Sequence, residues 1–102
     1  MMALDQRKAD EIRLLVYDYF SQECDVGKED LSDQTDIIKD LEGDSLMLLS
    51  LLEIVRKRYG LTVELKTLGK HLMKKPANTI GQVVDLTRHI VQYGDDILKV
   101  DL

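Results

Sequence analysis

Tryptophan is absent from this chain of 102 residues, and proline and cysteine occur once each. A single thiol, Cys24, rules out an internal disulfide, and one Cys with two distant His residues makes an unpromising zinc site. With neither a basic neighbour nor a nearby His, Cys24 reads as an ordinary small residue. Aromatic residues make up only 5%, so the core must come from Leu, Ile and Val. One Pro and six Gly leave few tight turns and favour a helical protein. No apolar run approaches the ~18–20 residues of a membrane span. Nor does Met1-Met2-Ala3-Leu4-Asp5 have the basic-then-apolar build of a secretory signal. The expectation is a protein of the reducing cytoplasm, without membrane insertion.

What the chain does have is charge, 32% of residues against 44% hydrophobic, which fits one small globular domain spanning residues 1–102. The net charge of −5 is unevenly spread. Through Val55 there are 5 Lys and Arg against 14 Asp and Glu, a balance of −9; from Arg56 onward the count is 9 against 5, or +4. The acidic half repels nucleic acid, and the basic segment has no interleaved aromatics, so nucleic-acid binding is not expected. Basic protein partners suit the acidic half better, with charge steering their approach.

Four helices follow from the pattern, at about 5–22, 44–59, 65–75 and 79–93. In the first, Ile12, Leu15, Val16, Tyr19 and Phe20 repeat at helical spacing and form an inner stripe. Residues 21–44 show no sustained period. They are rich in turn formers, with Leu31, Ile37, Ile38 and Leu41 as the expected anchors into the core. A loop of roughly twenty residues in so small a domain is unusual and often functional.

Asp44 is a good cap for the second helix, and Gly60 stands where that helix should end. At about 100° per residue, Leu48, Leu51, Leu52, Val55 and Tyr59 collect on one side. Ser50, Glu53 and Lys57 collect on the other, flanked by Leu46, Leu49 and Arg56. Leu61–Leu65 reads as an extended link to a short third helix, with Leu65, Leu68 and Leu72 inward and Pro76 ending it. The charge of Lys66, Lys70, Lys74 and Lys75 reads as solvated, and His71 as a surface residue. The last helix starts at Asn78 or Thr79 and turns Ile80, Val83, Val84, Thr87, Ile90 and Val91 inward; Asp85 and His89 form at most a surface contact. The sum is an all-α fold, a four-helix bundle with a long first loop and a short third helix. Asp95–Leu102 is left open.

One hydroxyl has a defined setting. Ser45 follows a capping Asp, begins a Leu-rich helix and is led into by an acidic loop. Gly43-Asp44-Ser45-Leu46 also spells the signature of the GDSL esterases. That chemistry needs a His base, an oriented carboxylate, an oxyanion hole and strands to hold them. The chain has no βαβ pattern, no Gly/Asn-rich loop and no Asp-x-x-His near its end, and the segment does not fit a G-x-S-x-G elbow. Ser45 therefore reads as a point of attachment rather than a nucleophile.

Asp40-Leu41-x-x-Asp44-Ser45-Leu46 resembles the phosphopantetheine attachment site of acyl carrier proteins. The similarity continues to Tyr59-Gly60-Leu61-Thr62-Val63, and Thr79-Ile80 matches the usual start of that family's last helix. The resemblance implies an acyl-carrier bundle in which Ser45 receives 4′-phosphopantetheine from coenzyme A, transferred by a separate Mg²⁺-dependent phosphopantetheinyl transferase. Asp44 caps the helix and presents charge to that enzyme. The thiol then holds acyl groups as thioesters, passed among acyl-loading and acyl-transferring enzymes of lipid or fatty-acid metabolism. It implies docking through Leu46, Leu49, Ser50, Glu53, Arg56 and Lys57, and an acyl pocket lined from Leu48, Leu51, Ile54, Val55, Val63 and Leu72. Divalent cations near Asp36, Asp40 and Asp44 are also expected, and a monomer that does no chemistry itself.

The departures from the family pattern are informative. Glu42 stands where the family usually has Gly, and Ile37 where it has Phe. The acidic docking positions of housekeeping fatty-acid carriers are here Ser50, Arg56 and Lys57, followed by Arg58, and the link between the second and last helices is longer and basic. These point to a dedicated carrier of a specialised pathway. The other readings are an unmodified helical interaction module and an aminoacyl or peptidyl carrier.

Overall fold

The computed structural model describes residues 6–94, which form four helices: α1 (Gln6–Glu23), α2 (Ser45–Tyr59), α3 (Leu65–Lys74) and α4 (Ile80–Tyr93). The expected all-α bundle is what forms, with helix ends within a residue or two of those read from the sequence. The expected start of α1 at residue 5 and the tail from Asp95 lie outside the described residues.

Each boundary has a local cause. The Asp44 carboxylate accepts from the Met47 N–H, and Gly60 (φ 61°) closes α2 in the left-handed region. Thr79 and Gln82 make a reciprocal capping box at the start of α4: the Thr79 side chain accepts from the Gln82 N–H, and the Gln82 side chain accepts from the Thr79 N–H.

The core is aliphatic, as the shortage of aromatics requires. Ile12, Val16 and Phe20 of α1 meet Leu48, Leu51, Leu52 and Val55 of α2 and Ile80, Val83, Val84 and Ile90 of α4. Val63 and Leu68 close it from the α3 side. Leu86 joins the buried set without having been expected there. Thr87 is buried too, its hydroxyl donating to the Val83 carbonyl one turn back.

Among the described residues, strand-like pairing is limited to one isolated bridge, Asp36 to Thr79. It anchors the long loop to the start of α4. The Ile37 N–H donates to the Asn78 carbonyl at 2.9 Å, the Ile80 N–H to Thr35 at 3.1 Å, and the Gly81 N–H to Asp33 at 3.0 Å. Asp33 is also gripped from α1: Arg13 donates to Oδ2 at 2.6 Å and the Tyr17 hydroxyl to Oδ1 at 2.5 Å. Gly81 permits this, since a Cβ there would lie 2.9 Å from the Asp33 Cβ and 3.0 Å from its carbonyl oxygen. The loop is thus clasped between α1 and α4, and its far end, at Ser45, is held in place.

Three sequence expectations need correction. Ile38 is 60% exposed. The hydrogen bonds of its neighbour Ile37, to Asn78 and from the Gly43 N–H, commit Ile37 to the interior, leaving Ile38 to face outward. Ile54 is 43% exposed and is no core-lining residue. At about 100° per residue it falls well round the helix from the Leu48–Leu51–Leu52–Val55 stripe. His71, expected on the surface, is only 4% exposed. It lies one turn from the fully buried Leu68, and on α3 the inner face continues through His71, with Leu65 and Leu72 half-buried at its margins.

Candidate functional site

Ser45 is the first residue of α2 and is exposed. None of the hydrogen bonds among the described residues engages its hydroxyl. Its neighbour Asp44 caps the helix, Oδ1 to the Met47 N–H at 3.0 Å. The Met47 carbonyl in turn accepts from the Tyr19 hydroxyl at 2.8 Å, so α1 steadies the first turn of α2 directly. Gly43 is buried against Ile37; a Cβ there would lie 2.7 Å from the Ile37 Cγ2, so the chain enters the helix through a gap only glycine fills without displacement.

Glu42 adopts φ 57°, a conformation costing an L-residue about 1–2 kcal/mol. This accounts physically for glycine being usual at this position in the family the sequence resembles. Glu42→Gly should raise stability by up to about 1 kcal/mol, the relief of strain being partly offset by glycine's greater chain entropy. A urea midpoint unchanged or lowered would contradict this.

Beside Ser45 opens a cleft of about 200 Å³ lined mainly by apolar side chains. Ile37, Ile38, Leu48, Leu72, Pro76 and Ala77 form its walls, with Asp44 and Ser45 at the edge. Of the residues expected to line an acyl pocket, only Leu48 and Leu72 reach it. Leu51, Val55 and Val63 are packed in the core. A larger groove, about 680 Å³, lies elsewhere, along α1 and α4, and the Asp33 clasp forms part of its wall.

The expected docking residues divide into two kinds. Leu46, 69% exposed, lies with Ser50 and Lys57 on the open face of α2, and Leu49 is half-buried. Glu53 and Arg56 are occupied with one another at 2.5 Å, and Arg56 Nε also donates to the Val63 carbonyl at 2.6 Å. That pair fastens the α2–α3 link as well as facing outward. Ile54, expected in the pocket lining, and Met73, given no role by the sequence, add exposed apolar surface.

The acidic loop does not assemble a cation site. Asp40 accepts from the Asp36 N–H, Asp36 from the Ile38 and Lys39 N–H groups, and Asp44 from Met47. Among the described residues, no three His, Cys, Asp or Glu side chains are placed to hold a metal ion. These carboxylates shape turns.

Comparison with known proteins decides the family. The family model described as the phosphopantetheine attachment site matches residues 15–87. An acyl carrier protein homolog of Clostridium acetobutylicum is 47% identical over 90 residues, covering 88% of this chain and 87% of that protein. This chain belongs to the acyl carrier protein family. No solved structure matches it. Members of the family are carriers, defined by covalent 4′-phosphopantetheine.

The residues at the α2 start fit such a group. Esterification needs an accessible hydroxyl with no competing bond, and Ser45 offers one. A phosphodiester there meets the unpaired N–H groups and positive end of the helix dipole.

Two other titratable groups clarify what the site is not. Burial and then Glu23 push the Cys24 thiol up, which suits an inert half-buried residue. Burial first, then Lys74, Lys75 and His89, hold the His71 imidazole below the ordinary 6.5, which favours the neutral ring. Between that lowered value and 6.5 the unfolded chain binds the proton that the folded chain refuses. The corresponding stability is complete above that window and is lost as pH falls through it. Urea midpoints of the wild type should therefore fall more steeply from pH 7 to 5 than those of His71→Leu; parallel slopes would contradict the assignment.

Proposed function

We propose that this chain is a monomeric acyl carrier whose Ser45 holds 4′-phosphopantetheine, transferred from coenzyme A by a separate phosphopantetheinyl transferase. The observation carrying this reading is the exposed, uncommitted Ser45 hydroxyl at the first residue of α2, beside the capping Asp44. When attached, the group supplies a thiol that holds acyl cargo as a thioester. The chain's own residues do the rest. Asp44 fixes the helix start and offers negative charge to the transferase; Leu46, Leu49, Ser50 and Lys57 offer a mixed face for acyl-loading and acyl-transferring enzymes. The cleft of Ile37, Ile38, Leu48 and Leu72 gives apolar cargo a place to shelter. The carrier catalyses nothing and works in the cytoplasm. Among the described residues, no helix is long and apolar enough to cross a membrane.

The basic end of α2 narrows the reading further. Arg56, Lys57 and Arg58 occupy its last turn, where they complement the helix dipole but oppose docking on a basic enzyme patch. A dedicated carrier of a specialised pathway fits this charge better than a housekeeping one. Fluorescent coenzyme A analogue, Mg²⁺ and a broad-specificity transferase should label the wild type and leave Ser45→Ala unlabelled. Housekeeping ketosynthases should then elongate the acyl form more slowly than their own carrier; equal rates would overturn the dedicated role.

A further inference from the structure

A second cleft, of about 310 Å³, lies between α3 and α4 and shares Pro76 and Ala77 with the cleft beside Ser45. We propose that it is a binding site for a compact apolar molecule bearing one carboxylate, independent of the Ser45 modification. Its size and make-up match small-ligand sites, which are mostly apolar with a few convergent polar groups. Pro76, Ala77 and Leu86 supply the apolar surface, and His71, Lys75, Gln82 and His89 the polar one.

Three features favour an anion as the polar end. Lys75 makes no ion pair among the described residues, so its ammonium is free to meet one. The acid in the lining, Asp85, already pairs with Arg88 at 3.2 Å. Gln82 uses its Oε1 to accept from the Asn78 and Thr79 N–H groups, which leaves its amide NH₂ as the donor it can offer.

The fourth feature is His71 itself. Its ring is buried, and Nδ1 has no hydrogen-bond partner, an arrangement folded proteins rarely leave unexplained. Lys74, Lys75 and His89 all oppose its protonation, and Asp85, the acid in the lining, is committed to Arg88. A carboxylate in the cleft reverses that balance: it stabilises the imidazolium and gives the ring a charged partner. The apolar part then covers Leu86 and Ala77.

The test is an NMR titration of the isotope-labelled full chain at pH 7 and constant ionic strength, with hexanoate and, separately, hexanol. Hexanoate should give saturable shifts at His71, Lys75, Ala77, Leu86 and His89, bind about tenfold more tightly than hexanol, and raise the His71 pKa. Lys75→Met, a surface change that leaves the core intact, should abolish the preference for hexanoate. His71→Leu should abolish it too, provided its helical circular dichroism is retained. Absence of saturable shifts, equal affinity for the two probes, or shifts confined to Leu48 and Leu72 beside Ser45 would each overturn the proposal. None of these outcomes bears on whether Ser45 is modified.

Discussion

Phe20→Ala should lower stability by about 3–5 kcal/mol, the largest loss expected from any single truncation in this core. Phe20 is the chain's one phenylalanine, is fully buried, and is among the largest of the buried side chains. Its ring meets Tyr19 edge to face, with centroids 5.3 Å apart, a geometry that adds to plain burial. The rest of the buried core is built of smaller aliphatic side chains, which fill such a space poorly. Small domains hold only about 5–15 kcal/mol in total, so the variant should be partly unfolded at 37 °C. The urea midpoint should drop sharply while the slope stays constant. Phe20→Leu should lose far less, because it keeps most of the volume. A loss under about 1 kcal/mol for the alanine variant would mean that the core collapses around the gap.

The effect should also reach the attachment site. Tyr19, packed on Phe20, holds the Met47 carbonyl in the first turn of α2. A looser Phe20 therefore frees the element that presents Ser45. Core and site are coupled through two adjacent residues of α1.

Much of this was legible in the sequence because its causes are local. The α1 stripe, the Asp44 cap and the Gly60 stop depend on residues within a turn or two of one another, and they fall where the pattern puts them. Ser45 could be singled out for the same reason. What was not legible depends on contacts between distant segments. Nothing near Asp33 says that it will be held by Arg13 and Tyr17 and pressed against Gly81. Between Ile37 and Ile38 the sequence offers no choice; the bond to Asn78, about forty residues on, makes it. His71 is a different case. Its spacing of three from Leu68 is a usable signal for burial, whereas the sequence shows no partner for the ring and so reads it as surface. The acidic loop misled in the opposite direction: carboxylates that look like a cation site in one dimension turn out to be cradling backbone N–H groups.

The other large effect concerns Ser45 alone. Ser45→Ala should abolish all modification and leave the fold intact. Among the described residues no hydrogen bond holds its hydroxyl, the helix cap belongs to Asp44 rather than to Ser45, and alanine is at least as good a helix former as serine. Its melting temperature should stay within a degree or two of the unmodified wild type, as for surface changes of under about 0.5 kcal/mol. Loss of modification together with loss of fold would leave the role of the hydroxyl unproved. For that reason the two readings belong in one experiment.

That experiment is the intact mass of the purified chain after incubation with coenzyme A, Mg²⁺ and a broad-specificity phosphopantetheinyl transferase, followed by peptide mapping. The account predicts one phosphopantetheine per chain, on Ser45, and none on a folded Ser45→Ala. Addition at another residue, or none to a folded wild type under conditions that modify a known carrier, would contradict it.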